Sequence, residues 1–526
     1  MADNANLWTL LRSGFPADLD DTAIEVVGDS AHEPPERPFY TWRDLDEGSA
    51  MLANLLGSLA LPPLSRIAVQ VDKSVEALLL YLAVLRSGHV FLPLNTAYQE
   101  AELAYFIGNA EPAVVVCAPK NFGWIAQLAF GRGVEHVFTL GDGRCGTLLD
   151  RAAFQPRTQE PASRGPEDLA AILYTSGTTG RSKGAMLGHG NLASNTEVLH
   201  RAWAWKEGRT LPRPERDVLI HALPIFHVHG LFVACHGALR AGAKMLWFDR
   251  FDAGAVVARL PEATVFMGVP TLFVRLLAEH GLSAARCARM RLFVSGSAPL
   301  LLETFREFQA RTGHTILERY GMSETVMLTS NPYAPASARR GGTVGPALPG
   351  VGLRIVGEKG QPLAAGEIGG IEVRGPNVFK GYWRMPEKTA DDFTPDLWFK
   401  TGDVGRLEED GYVAIVGRSK DLVITGGYNV YPAEVEGFLN ELPGVAESAV
   451  IGVPHPDFGE AVVAVLIGKP GATLEPAAVQ AAMKSRIAGF KVPKAVIVAA
   501  ELPRNAMGKV QKNLLREAHR GLFVAA

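Results

Sequence analysis

Tyr174-Thr-Ser-Gly-Thr-Thr-Gly-Arg-Ser-Lys-Gly-Ala185 is the stretch on which the fold turns. It follows an apolar run, Leu169-Ala-Ala-Ile-Leu173, and precedes a helix-like segment from Asn191. The spacing therefore predicts a buried strand, a small-residue loop and a turn towards a helix. Such a loop can wrap a phosphate. Gly177, Gly180 and Gly184 let the backbone approach closely, the hydroxyls of Thr175, Ser176, Thr178 and Thr179 can donate to oxyanions, and Arg181 and Lys183 add positive charge. It is not a Walker A loop, which sets Gly-Lys-Ser/Thr after four free positions, whereas Lys183 lies between Ser182 and Gly184.

Upstream, the pattern alternates. Spaced Met51, Leu52, Leu55 and Leu56 predict an amphipathic helix with Asp44 as its cap. Arg66–Val71 reads as strand, Ser74–Ser87 as helix, Val90–Leu94 as strand, Ala101–Ala110 as helix and Ala113–Cys117 as buried strand. Alternation of this kind implies α/β architecture, a large N-terminal domain of parallel sheets with flanking helices. Downstream, Asp217–Leu223, Thr264–Val269, Arg291–Ser297 and Thr315–Gly321 are strand-to-loop transitions ending near Gly, Ser or Pro, where α/β folds place ligands. From about 341 to 417 the texture changes to short Gly- and Pro-punctuated strands, a β-rich subdomain. Residues 419–526 form a small α+β C-terminal domain, which leaves 1–418 as the large domain and sets a hinge near Lys420.

A chain of 526 residues holds more than one folding unit, since single cores stop growing at roughly 250–300 residues. A net charge of −3 with 20% charged residues offers no footprint for nucleic acid or an anionic membrane. Cys117, Cys145, Cys235 and Cys287 are far apart and show no metal or redox spacing, so inert thiols in a reducing cytoplasm are expected. The start lacks a basic region leading into an apolar core, and segments such as Ala77–Leu85 are too short to span a bilayer. A soluble cytoplasmic monomer or homodimer is expected.

Six motifs, in order, resemble those of the adenylate-forming superfamily of acyl-CoA synthetases, luciferases and peptide-synthetase adenylation domains. They are the loop at 174–185, Glu318-Arg-Tyr-Gly-Met-Ser-Glu-Thr325, Thr401-Gly-Asp403, Gly417-Arg418 with Lys420-Asp421, Gly426-Gly-Tyr-Asn-Val-Tyr-Pro432 and Leu502-Pro-Arg-Asn-Ala-Met-Gly-Lys509. The resemblance covers nearly the whole chain; Ser323 stands where the family usually has threonine and keeps the hydroxyl. It implies ATP, Mg²⁺ and CoA: a carboxylate attacks the α-phosphate of ATP to give an acyl-AMP, and a thiol then takes the acyl group. Because two anions must meet, catalysis is charge neutralisation and positioning.

The same resemblance implies the roles of residues. Lys509 bridges the carboxylate and α-phosphate, Asp403 accepts the ribose hydroxyls and Arg418 reaches the ribose. Gly296, Ser297, Ala298 and Pro299, with Glu318, Arg319, Tyr320, Gly321, Met322 and Ser323, frame the adenine and acyl-phosphate region. Glu324 assisted by Thr175 holds Mg²⁺, and Thr175, Ser176, Gly177, Thr178, Thr179, Gly180 and Lys183 hold phosphates. His227 lines the acyl pocket, Lys420 is the hinge of a mobile C-terminal domain, and Gly426 and Gly427 line a thiol channel.

For the acid, Arg319 precedes the tyrosine of the Tyr-Gly pair, close to the acyl end, where a fatty acid would want an apolar residue. Arg275 lies one helical turn after Thr271 and can project from the same face. Two arginines plus Ser297 can hold a second carboxylate by charge-assisted hydrogen bonds. Leu94–Tyr98, His221–Ile225, Glu318–Met322 and Gly375–Trp383 are similar to malonyl-CoA synthetases, which implies malonate, with methylmalonate beside it. The alternatives are a short- or medium-chain acyl-CoA synthetase, in which Arg275 and Arg319 face solvent or pair internally, and a non-catalytic nucleotide-binding relative.

Overall fold

A computed structural model of the chain describes residues 4–28, 38–175, 182–426, 428–505 and 508–523. The chain divides into two compact units, Met1–Gly352 with Arg374–Phe393, and Leu353–Val373 with Thr394–Ala526.

The first unit realises the expected parallel architecture twice. One sheet has six strands in the order His136–Thr139, Val114–Cys117, Arg66–Gln70, Val90–Pro93, Leu169–Thr175 and Lys183–Gly188. All its pairs are parallel except the last. The strands Val90–Pro93 and Val114–Cys117 are buried at every position, as in sheets covered on both faces. The other sheet has eight strands, ordered Val326–Ser330, Leu317–Met322, Leu292–Ser295, Val265–Gly268, Val218–His221, Lys244–Phe248, Thr22–Val27 and Phe39–Thr41. Its interior pairs are parallel and an antiparallel strand closes each edge.

The helix Val75–Arg86 is buried along its entire length, capped by Ser74, whose hydroxyl accepts from the Ala77 amide. A helix apolar all round belongs in a core. Its two charged residues are answered: Arg86 pairs with Asp46 at 2.8 Å, and Glu76 accepts from the Tyr40 hydroxyl. Lys73, just before it, ties the two sheets. Its Nζ donates to the carbonyls of His221 (2.9 Å) and Phe248 (2.5 Å), at the ends of neighbouring strands of the eight-stranded sheet.

Two local expectations are corrected. The cap of the helix Trp42–Ser58 is Thr41; Asp44 is the third helical residue and completes a capping box by accepting from the Thr41 amide. The chain after the phosphate-loop candidate does not turn into a helix at once. Lys183–Gly188 is a strand antiparallel to Leu169–Thr175, and the helix begins at His189. Gly184 permits this: a Cβ there would meet Ile172 Cγ2 at 2.9 Å and Trp383 Cβ at 3.3 Å.

The second unit carries a four-stranded sheet, Gly352–Val356, Gly369–Arg374, Phe399–Leu407 and Val413–Arg418. It also carries a five-stranded sheet built on the long antiparallel pair Val445–His455 and Gly459–Gly468, with Val423–Thr425, Tyr428–Val430 and the parallel strand Ala495–Val498. Helices Pro432–Asn440 and Pro476–Lys484 contribute Val435, Leu439, Val479 and Met483 to its core. Among the described residues, no helix is long and apolar enough to cross a membrane.

Candidate active site

The hairpin of Leu169–Thr175 and Lys183–Gly188 presents Thr175 opposite Lys183, and the Thr175 hydroxyl donates to the Lys183 carbonyl at 3.4 Å. Ser176, Gly177, Thr178, Thr179 and Gly180 lie outside the described residues. The Lys183 ammonium sits 3.4 Å from Asp392 and 4.2 Å above the ring of Tyr382. Asp392 is shared with Lys388 at 2.6 Å. The Tyr382 hydroxyl donates to the carboxylate of Glu324 at 3.2 Å, and burial with the nearby Glu324 and Asp392 charges raises its pKa far above the usual phenol range. Lys183 and the buried Glu324 are thereby joined through one aromatic side chain. Glu324 is held by a tight hairpin: Gly321 passes so close to Val326 that a Cβ would meet the Val326 carbonyl at 1.8 Å. Tyr320, Met322 and Ser323 are half-buried beside it.

The carboxyl ends of neighbouring parallel strands gather a second group. Glu318 and Arg319 are consecutive on Leu317–Met322 and so point to opposite faces. On one face Glu318 accepts from the Gly342 amide (3.2 Å) and the Leu300 amide, and burial raises its carboxyl to about 8. On the other, Arg319 is 3% exposed, and its Nε and Nη2 find no hydrogen-bond partner among the described residues. Burial alone pulls this guanidinium down to about 9. It lies directly over Gly296, where a Cβ would meet Cζ at 2.4 Å, so glycine is what makes room for it. Ser297 follows in the left-handed region at φ 72°, a strained conformation for a residue with a side chain. Ala298 is half-buried and Pro299 exposed. His227, in the loop after Val218–His221, is lowered to about 4 by burial and by Arg319. Its Nδ1 also lacks a partner among the described residues.

Arg275 does not join this group as a buried partner. The helix Pro270–Ala278 buries Leu272, Phe273 and Leu276, while Arg275 is exposed and Thr271 half-buried. The four-residue spacing does put Thr271 and Arg275 on one side, but that side is not the buried one.

In the second unit, Asp403 and Arg418 face each other across an antiparallel pair, with Arg418 Nε 2.8 Å from Asp403 Oδ1. Asp403 is 4% exposed and its amide donates to the Thr401 hydroxyl. Lys509 is carried by a turn in which its amide donates to Asn505 Oδ1 (3.0 Å), its carbonyl accepts from the Asn505 amide, and Gly508 takes φ 73°. Lys509 keeps access to solvent, yet its ammonium is drawn down to about 8 by the protein around it and by Arg418, with Asp403 opposing. Lys420 is exposed in the turn Ser419–Asp421 and is likewise lowered, by desolvation first and then by Arg418 and Arg516 against Asp421. Gly426 adopts φ 56° and donates to the Phe458 carbonyl; Gly427 lies outside the described residues.

A family model described as AMP-binding enzyme matches residues 20–383, and one described as AMP-binding enzyme C-terminal domain matches 434–509. The chain belongs to the AMP-binding enzyme family. Among curated members, a malonate–CoA ligase of Arabidopsis thaliana is 35% identical, covering 86% of this chain and 78% of that protein. The mitochondrial malonate–CoA ligase ACSF3 of Mus musculus is 34% identical, covering 91% and 87%. Among solved structures, ATP-bound MatB from Rhodopseudomonas palustris superposes with a TM-score of 0.93 at 51% identity, covering 99% of this chain and all of that one.

Tyr382, Asp392 and His229 were not singled out from the sequence. Tyr382 lies within the stretch Gly375–Trp383 read there and His229 two residues after His227, but nothing in their spacing marks them. Tyr382 matters because of Glu324, 58 positions away, and Asp392 because of Lys183, 209 positions away.

Proposed function

We propose that the protein is an ATP-dependent malonate–CoA ligase that forms malonyl-AMP and then malonyl-CoA, releasing pyrophosphate and AMP. The observation that carries the choice of acid is the buried Arg319 guanidinium, near His227, with two nitrogens that nothing among the described residues answers. A buried charge left without a partner is costly, so a site that keeps one is shaped for an anion. A fatty acyl chain brings no acceptor to it. The second carboxylate of malonate does. The curated relatives named malonate–CoA ligases support the same acid.

In this reading Arg319 and Ser297 hold the non-reacting carboxylate and His227 lines the pocket, so that the other carboxylate is aimed at the α-phosphorus. Lys509 lies between the attacking oxygen and the α-phosphate, where an ammonium offsets the charge of both anions. Its pKa, lowered to about 8, still leaves it mostly protonated at neutral pH. Asp403 accepts the ribose hydroxyls, oriented by Arg418. Lys183 exchanges Asp392 for the departing phosphates, while Tyr320 and the Gly296–Pro299 turn flank the adenine.

Glu324 and Thr175 offer oxygen donors only, which suits Mg²⁺ carried in on phosphate, since that ion needs just one or two carboxylates from protein. When bound it supplies charge neutralisation on the phosphate oxygens. We place the hinge at Lys420, between a large domain ending at 418 and a small one, and assign Gly426 and Gly427 to the thiol channel. Cys117, Cys235 and Cys287 are free and buried, in keeping with a reducing compartment such as the cytoplasm.

The test is carboxylate-dependent ATP/pyrophosphate exchange with malonate, methylmalonate, succinate, acetate and butyrate. Malonate is expected to lead, with the monocarboxylates far behind. Acetate or butyrate turning over as well as malonate overturns the dicarboxylate assignment.

A further inference from the structure

Resting on the malonate reading, we infer that His229 is a second specificity-determining residue, its neutral imidazole N–H sharing with Arg319 the carboxylate that does not react. His229 is 1% exposed, and neither Nδ1 nor Nε2 has a hydrogen-bond partner among the described residues. Buried imidazoles are normally satisfied, and an orphaned buried polar group costs about 1–3 kcal/mol.

The neighbouring His236 shows that this region can satisfy a ring completely, and His221 is answered at one nitrogen. His236 contacts the Tyr81 hydroxyl at 2.7 Å and the Thr196 hydroxyl at 3.1 Å. His221 Nε2 lies 2.9 Å from the Gly230 carbonyl and 3.2 Å from Cys235 Sγ. On the loop after Val218–His221, whose two histidines both feel the Arg319 charge, His227 Nδ1 and both nitrogens of His229 have no partner among the described residues, and neither do Nε and Nη2 of Arg319 or His221 Nδ1 at the end of the strand. Arg319, His227 and His221 all act electrostatically on His229, and burial is the largest of the influences that keep it neutral. The orphans share one chemistry: they are donors, or can become donors by choice of tautomer, and they lack an acceptor. A carboxylate offers about four lone-pair sites, enough for a fork from Arg319 and one imidazole N–H. A neutral ring adds that bond without adding charge, so one guanidinium still balances one carboxylate.

The backbone that carries the ring is also held in place. His221 anchors the Gly230 carbonyl, and Gly230 packs so tightly that a Cβ would meet the Pro224 carbonyl at 2.1 Å. His229 opens the π-helical turn His229–Cys235, a geometry that recurs at functional sites.

The experiment measures pyrophosphate exchange by the full-length enzyme with malonate and with butyrate, for wild type, His229→Phe and His229→Gln, with thermal melts to confirm folding. Phe removes every donor. Gln restores one. The kcat/KM ratio of malonate over butyrate is expected to fall about ten- to a hundredfold in His229→Phe, chiefly through the KM for malonate, and to recover in part in His229→Gln. A folded His229→Phe whose ratio stays within about threefold of a malonate-preferring wild type overturns this inference alone. A wild type that prefers butyrate overturns the malonate reading and this inference with it. If His229→Phe does not fold, the same ratio is read in His229→Leu.

Discussion

Arg319→Met removes the buried guanidinium while keeping an unbranched side chain, and it should move stability and turnover in opposite directions. Burial lowers the group well below the ordinary guanidinium range, to about 9, a cost on the order of 5 kcal/mol for keeping it charged. The sign follows from the two states. At pH 7 the guanidinium is protonated both folded and unfolded, so the folded protein bears the full cost, and relief begins only as pH rises through about 9. Methionine bears none of it. After relaxation the gain should be about 1–3 kcal/mol, by analogy with buried charges replaced by apolar residues, and is read as a higher melting temperature at pH 7.

Catalysis goes the other way. Two charge-assisted hydrogen bonds from Nε and Nη2, at about 1.5–3 kcal/mol each, amount to about 3–6 kcal/mol, so kcat/KM for malonate should fall about 10²- to 10⁴-fold. Malonate-dependent pyrophosphate exchange and a ligand-free thermal melt of the same preparation read the two effects. A folded variant within about tenfold of wild type on malonate would remove Arg319 from the acyl pocket. A clear drop in melting temperature would show that the guanidinium is already compensated inside the protein.

Two further outcomes are expected. Lys509→Ala should lower carboxylate-dependent exchange by at least about 10²- to 10³-fold, while calorimetry shows ATP binding within about threefold of wild type. Wild-type exchange in that variant contradicts the assigned role. Because the Lys509 ammonium is held near 8 and acts as the cation, kcat/KM should decline as pH rises through about 8, and Lys509→Arg should move that limb upward. A pH limb unchanged in Lys509→Arg assigns the titration to another group. Tyr382→Phe deletes the hydroxyl that donates to Glu324 but keeps the ring beneath Lys183. At about 1 kcal/mol for one hydrogen bond, the KM for Mg-ATP should rise about fivefold, and an unchanged KM across a Mg²⁺ titration would leave that hydroxyl without a part in nucleotide binding.

The strands and helices of the parallel sheets were legible because each segment carries its own signal. Val90–Pro93 stops one residue short of the expected Val90–Leu94, and Val75–Arg86 falls one residue inside the expected ends, which are its cap residues. Where the outcome depended on a distant neighbour, the local signal was insufficient. Lys183–Gly188 contains two glycines and reads as a turn, but becomes a strand because Leu169–Thr175 pairs with it and Gly184 must clear Ile172 and Trp383.

The two arginines make the same point at the site. Arg275 and Arg319 carry the same charge, and periodicity can say which neighbours share a face with each. It cannot say what that face meets. Arg319 lies inside an eight-stranded sheet, where the alternation that turns Glu318 towards backbone amides turns Arg319 towards Gly296. Arg275 stands on the side of its helix that Leu272, Phe273 and Leu276 leave outside the core. The charge balance of a pocket belongs to its partners, and a missing partner leaves no mark on sequence spacing. Arg319 could still be suspected from its place before Tyr320, because a motif pointed to it. His229 could not, since its distinguishing property is two nitrogens that nothing among the described residues answers.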